Sequence, residues 1–132
     1  KKINLKFYGS DRDKGAIENS VKNSKTANVE AFCHFKTNSI SEATPPTKEP
    51  GIVLVNPPYG NRIGERKKLF PLYRSLGQTL SERFVDWRIG IITSDPGLAK
   101  ATGLKFQDTS TSVDSGGIKI KLYETKINHP QI

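Results

Sequence analysis

A mostly parallel α/β sheet is the fold this chain predicts, and three observations predict it. Two short apolar stretches, Gly51-Ile52-Val53-Leu54-Val55 and 87–93, read as buried strands of the kind parallel sheets use. Between them Leu69, Leu72, Tyr73, Leu76 and Leu80 recur at helical spacing. Near the end, two strand-like runs flank Ser-Gly-Gly turn chemistry, with no long helix between them. Strand, helix, strand, repeated, implies parallel crossovers. The last pair implies an antiparallel hairpin.

The elements follow in order. Residues 3–9 read as a strand, with Ile3, Leu5 and Phe7 on one face. Asp11 and Asp13 are turn and helix-start residues. A helix is predicted over 14–27 on a thin stripe of Ala16, Ile17 and Val21, then a strand over 29–35. Residues 37–50 are polar and hold three prolines, so they read as a loop. Strands are expected at 51–55, 87–93, 105–111 and 117–125, the main helix at 67–84, and helical turns at 96–101. In the last strand Ile118, Ile120 and Leu122 alternate with Lys119, Lys121 and Tyr123, which fits an edge or near-edge position with one wet face.

Composition bounds the function. The chain has 132 residues, enough for one compact domain, here taken as 1–132. Lys plus Arg number 21 against 13 acids, a formal net charge of +8. Such an excess favours a polyanionic partner, nucleic acid first, although charge alone also serves solubility. The single cysteine, Cys33, excludes an internal disulfide and any multi-cysteine metal knuckle, and its apolar neighbours suggest a buried thiol. His34 and His129 lack metal-ligand companions, so no metal is expected. No stretch reaches the length needed to cross a bilayer and no signal peptide is visible, so the chain is read as cytoplasmic. It opens Lys1-Lys2-Ile3, without Met. A Ser-His-Asp hydrolase lacks its Gly-x-Ser-x-Gly elbow.

Asn56-Pro57-Pro58-Tyr59 follows the central strand directly. The two prolines fix the backbone and remove two N–H donors, which leaves carbonyl oxygens to accept. Asn adds a side-chain carbonyl and Tyr a flat face. Together they suit a planar amino group, at the strand end where open α/β sheets bind ligands. A strand-ending turn is the plainer alternative. Asp11 also ends a strand, where an acid can accept both hydroxyls of an adenosine ribose or simply form a turn.

Asn56-Pro57-Pro58-Tyr59 resembles motif IV of S-adenosylmethionine-dependent methyltransferases that modify exocyclic or amide nitrogens. Extended through Gly60-Asn61-Arg62-Ile63-Gly64-Glu65, it resembles the RNA guanine-N2 methyltransferases, whose large-subunit ribosomal RNA members often carry an RNA-binding THUMP domain. Gly9-Ser10-Asp11-Arg12-Asp13 and then Ala16-Ile17-Glu18-Asn19-Ser20 are similar to that family's second strand and following helix. The resemblance implies a Rossmann-like methyltransferase sheet, mostly parallel with an antiparallel C-terminal strand. The family's first strand carries an Asp-x-x-x-Gly-x-Gly loop. No such segment occurs here, and the only Gly-Gly pair is Gly116-Gly117. The chain therefore reads as the C-terminal part of a catalytic domain, lacking the first strand and its Gly-rich loop. That strand belongs mid-sheet, so self-association or rearrangement of the isolated chain is expected.

The resemblance also implies roles. Asn56 and the Pro57 carbonyl would accept from the target amine, with Pro58 shaping the loop and Tyr59 stacking on the base. Asp11 and Arg12 would hold S-adenosylmethionine, with Asn38 and Ser39 near its adenine. Arg62, Arg66, Lys67 and Lys68 would contact RNA phosphates, or form a solvated helix start. Ser94 and Asp95 would lie on the cleft side. The leading expectation is methylation of the guanine N2 amine in ribosomal RNA. The alternatives are an amino-methyltransferase for DNA adenine or protein glutamine, and an inactive basic RNA-binding module.

Overall fold

The computed structural model describes residues 4–59, 63–107 and 111–129. They pack as two compact units, 1–46 and 47–132. Their strands form two sheets, one of two strands and one of four.

The first unit is a single strand–helix–strand crossover. Strand β1 (Phe7–Asp11) and strand β2 (Cys33–Thr37) pair in parallel, from Phe7 opposite Cys33 to Asp11 opposite Thr37. Helix α1 (Lys14–Thr26) joins them. Asp13 caps it, its side chain accepting from the Gly15 amide at 2.9 Å. Asn28 ends it at φ 58°, the left-handed conformation that Asn tolerates. Both strands start later than the sequence suggests. Leu5 is 65% exposed and precedes the ladder. Residues Glu30–Phe32 form a 3₁₀ turn instead of strand, closed by the Phe32 amide on the Val29 carbonyl at 3.0 Å. Cys33 is half-buried, not enclosed as expected.

The second unit repeats the crossover on a larger scale. Strand β3 (Ile52–Val55) pairs in parallel with strand β4 (Arg88–Thr93), and helix α2 (Ile63–Arg83) connects them. Helix α2 begins about one turn before the expected start and carries Pro71 on an exposed position. Helix α3 (Pro96–Ala101) has Pro at its first position and Asp95 as its cap. Strands β5 (Thr111–Ser115) and β6 (Ile118–Lys126) close the sheet as an antiparallel hairpin, in the order β3-β4-β6-β5. Of the expected strand over 105–111, residues 105–107 are not strand, 108–110 lie outside the described residues, and the strand begins at Thr111. Ser115 opposite Ile118 leaves a two-residue turn, and Gly116 and Gly117 both take positive φ, at 57° and 83°. That turn twists with the strands, so it sets β5 by counting back from β6.

The core lies between α2, α3 and one face of this sheet. Tyr73, Leu76, Leu80 and Phe84 descend the helix onto Ile89 and Ile91 of β4, with Leu98 and Ala99 of α3 beside them. Tyr73, Ile91 and Leu98 are wholly buried. Each enclosed Leu or Ile contributes about 1.5–3 kcal/mol. The opposite face is different: Ile52, Leu54 and Val113 expose 62%, 69% and 62% of their surface.

Gly77 sets how closely α2 and α3 approach. A methyl group there would overlap the backbone carbonyl of Thr102. Gly64, on the same helix, faces open space. Gly77→Ala is therefore expected to lower stability by ~2 kcal/mol or more in urea unfolding. Gly64→Ala is expected to be neutral or to add about 0.5–1 kcal/mol.

Candidate functional site

The carboxyl ends of both parallel strand pairs carry the candidate residues. In the first unit, β1 ends at Asp11 and β2 at Thr37, directly opposite. The Asn38 amide donates to the Asp11 carbonyl at 2.9 Å, extending the ladder by one bond. Asp11, Arg12, Asn38 and Ser39 thus meet at one end of this sheet. One Asp11 oxygen, Oδ1, accepts from the Asp13 amide at 2.8 Å. Asp11 therefore performs the turn role, and its exposed Oδ2 has no protein partner among the described residues. The Ser39 hydroxyl is engaged: it donates to Glu42 at 2.7 Å, and the Ser39 amide donates to the same oxygen, in a capping box. Those two bonds hold the Glu42 carboxyl below its ordinary value.

In the second unit, β3 runs into Asn56-Pro57-Pro58-Tyr59, beside the end of β4 at Thr93. Asn56 is exposed, Pro57 buried and Tyr59 half-buried. Among the described residues no hydrogen bond engages the Asn56 side chain. The Pro58 carbonyl, in contrast, accepts from the Tyr73 hydroxyl at 2.9 Å. The same hydroxyl lies 3.1 Å from Thr93 Oγ1, which accepts from the Asp95 amide at 3.2 Å. The Tyr73 hydroxyl therefore faces two acceptors, the Pro58 carbonyl and Thr93 Oγ1, and ties α2 to the loop after β3 and to the end of β4. Burial raises the Tyr73 pKa, so its proton stays on through the neutral range.

Asp95 serves several partners. Its Oδ1 accepts from the Leu98 amide at 3.1 Å and caps α3. Both its oxygens accept from Arg66, whose Nε binds Oδ2 and Nη2 binds Oδ1. The Arg66 guanidinium also sits 4.9 Å from the centre of the Phe70 ring. Arg66 thus spends its charge within the protein, while Lys67 and Lys68 are exposed on α2. Arg62 lies outside the described residues. Gly97 completes the packing, since a side chain there would collide with Arg66. His34 stacks on Tyr8 at 5.2 Å, and His129 pairs with Asp86 at 2.9 Å, both on the surface. No group of metal-ligating side chains gathers among the described residues, and no described helix is long and apolar enough to cross a membrane.

Sequence reasoning placed Asn56 and Asp95 at the strand ends but missed Tyr73 and Thr93 as parts of the site. The available signal was a hydroxyl on an otherwise apolar stripe. A buried Tyr must find a polar partner for its tip. A hollow of about 350 Å³ lies elsewhere, on the opposite sheet face, between Ile52, Leu54, Gly90, Gln107 and Glu124. None of the four motif residues lines it.

Solved structures identify the class. The chain matches "SMU.472, a putative methyltransferase complexed with SAH" with a TM-score of 0.86 and 26% identity, over 98% of this chain and 34% of that one. It matches "a possible methylase from Clostridium difficile 630" with a TM-score of 0.82 and 25% identity, over the same shares. The fold is thus the Rossmann-like methyltransferase fold. Residues 1–124 match the family described as "RMKL-like, methyltransferase domain", and the chain belongs to that family. Ribosomal RNA large subunit methyltransferase K/L of Legionella pneumophila (strain Lens) is 39% identical over 93% of this chain. The protein of the same name from Marinobacter nauticus is 41% identical over 75%. The chain spans only 17% and 14% of the length of these two relatives.

The Arg66 pair gives a pH expectation. Its bonds, ahead of the Leu98 amide, hold the Asp95 carboxyl below its ordinary value. A depressed folded-state pKa means that the stabilisation is present above the unfolded value of about 4 and is lost as pH falls through the folded value. Acid titration followed by circular dichroism should show this loss below about pH 4 in the wild type. The Asp95→Asn variant should be less stable at pH 7 and should lack that acid step.

Proposed function

We propose that the chain is part of the catalytic domain of an S-adenosylmethionine-dependent enzyme that methylates the N2 amine of guanine in ribosomal RNA. The observation that carries this reading is Asn56-Pro57-Pro58-Tyr59 at the carboxyl end of a parallel strand, in a member of a methyltransferase family. The relatives named for ribosomal RNA support the substrate class, and the net charge of +8 suits it. We infer a cytoplasmic protein from that substrate.

The residues fit a nucleoside cofactor. Asp11 offers an uncommitted carboxylate oxygen at a strand end, the position where a ribose hydroxyl is accepted. Arg12 and the Asn38 amide side chain flank it, with Ser39 contributing backbone shape. Bound there, S-adenosylmethionine would supply a methyl group on a sulfonium for displacement by the amine. Asn56 Oδ1 accepts from the target N–H and turns the nitrogen lone pair outward. The Pro57 carbonyl accepts from the second N–H. Tyr59 stacks on the guanine, and a base inside a duplex must first be flipped out. Positioning is the main contribution, and the methylated amine loses its proton to water after the displacement, so no general base is required before attack. Lys67, Lys68 and Arg62 hold phosphates.

The test uses the full-length protein with ribosomal RNA and labelled cofactor. Asn56→Ala is expected to lower kcat by ~100-fold or more, with S-adenosylhomocysteine affinity retained in calorimetry. Asp11→Ala is expected to weaken that affinity instead. Unchanged kcat in Asn56→Ala would refute the assignment. We also propose that the isolated 132-residue chain self-associates through β3, whose Ile52 and Leu54 are exposed at a sheet edge. Sedimentation velocity should show dimers or larger species that Leu54→Lys reduces.

A further inference from the structure

We infer that Tyr73 is a positioning residue for methyl transfer, acting through the Pro58 carbonyl, with Thr93 holding its hydroxyl at the end of β4. This inference rests on the reading of Asn56-Pro57-Pro58-Tyr59 as the amine-binding loop.

The physical need is set by the loop. Pro57 and Pro58 have no N–H, so two consecutive residues cannot be tied down as donors. Their carbonyls are the only backbone handles they offer, and a carbonyl can be held only by a donor from elsewhere. Tyr73 supplies it. Its ring is fully buried in the stripe that α2 lays on β4, and its hydroxyl reaches Pro58 at 2.9 Å. Thr93, also fully buried, is 3.1 Å away and is the second acceptor of the phenolic hydroxyl. The Asp95 amide also donates to Thr93. The phenolic hydroxyl is thus held between Pro58 and Thr93, and Thr93 is itself held by the backbone after β4.

Two consequences concern the chemistry. The Pro58 carbonyl already accepts from Tyr73, and amine recognition is assigned to Asn56 and Pro57. Pro58 also lies between Pro57 and Tyr59. Fixing it therefore fixes the acceptor on one side and the stacking ring on the other. A loop free to rotate would still bind guanine, with the amine less well aimed. The loss belongs in kcat more than in binding.

The experiment is Tyr73→Phe in the full-length enzyme, assayed with ribosomal RNA and labelled S-adenosylmethionine. The variant keeps the ring, so the packing of α2 on β4 is retained. Thr93 keeps the Asp95 amide, and Pro58, at an exposed position, can turn to water. The expected result is a fall in kcat of about tenfold or more, with KM for RNA and cofactor within about twofold. S-adenosylhomocysteine affinity and Tm should stay near wild type. Thr93→Ser, which keeps the acceptor, should retain most of the activity. Wild-type kcat in Tyr73→Phe would overturn the inference. A loss matched by lost S-adenosylhomocysteine affinity and a lowered Tm would overturn it too, by marking a purely structural role. Asn56→Ala in the same assay separates the two readings. If it is inactive while Tyr73→Phe is normal, only the positioning role fails. If it is fully active, the loop is not the amine site and the proposed function fails.

Discussion

The hydrogen bond from Tyr73 to the Pro58 carbonyl organises the second unit. It joins the middle of the longest helix to the loop after β3, and Thr93 joins both to the end of β4. A buried hydroxyl left without a partner costs about 1–3 kcal/mol. Tyr73 faces Thr93, and Leu76, Leu80 and Phe84 follow onto the sheet at helical intervals. The apolar stripe places the helix on the sheet, and the hydroxyl ties that helix to the loop after β3.

Helix α3 depends on the same corner. Asp95 caps it, accepts Arg66 from α2, and passes its amide to Thr93. The close contact between Gly77 and Thr102 then leaves no freedom in the helix–helix distance. A cap, an ion pair, a hydroxyl pair and a proline pair thus converge at one end of the sheet, and the glycine contact lies at the far end of α3. Pairing with Asp95 also changes the meaning of the basic cluster. Arg66 is a structural cation held against Phe70, and the charge offered to solvent nearby is that of Lys67 and Lys68.

The two crossovers use one backbone plan for different chemistry. At the end of β1 and β2 stand a carboxylate, an arginine and an amide, with the neighbouring Ser39 hydroxyl already bound to Glu42. At the end of β3 stand an amide, two prolines and an aromatic ring. A parallel strand pair brings such groups together because both strands end on the same side. The residues need no long-range contact beyond the ladder itself to become neighbours.

Much of this was legible in the sequence because it rests on local physics. Continuous apolar runs gave strands β3 and β4, although only β4 is buried: β3 stands at a sheet edge with Ile52 and Leu54 exposed, not at the centre as expected. The Leu69–Leu80 stripe gave α2, and paired glycines gave the closing hairpin. The Asn56-Pro57-Pro58-Tyr59 motif follows a strand, as expected. The boundaries that slipped were those set by partners. The first strand starts at Phe7 because Cys33 is where its neighbour begins, and β5 sits at 111–115 because the turn at Gly116-Gly117 counts it back from β6. By itself the sequence determined the element order, the antiparallel ending and the placement of Asn56 and Asp11 at strand ends. Only the tertiary structure decided that Tyr73 holds Pro58, that it also reaches Thr93 and that Arg66 is bound to Asp95. Those contacts join residues 15 to 29 positions apart, and hydrogen bonding depends on distances that no periodicity encodes.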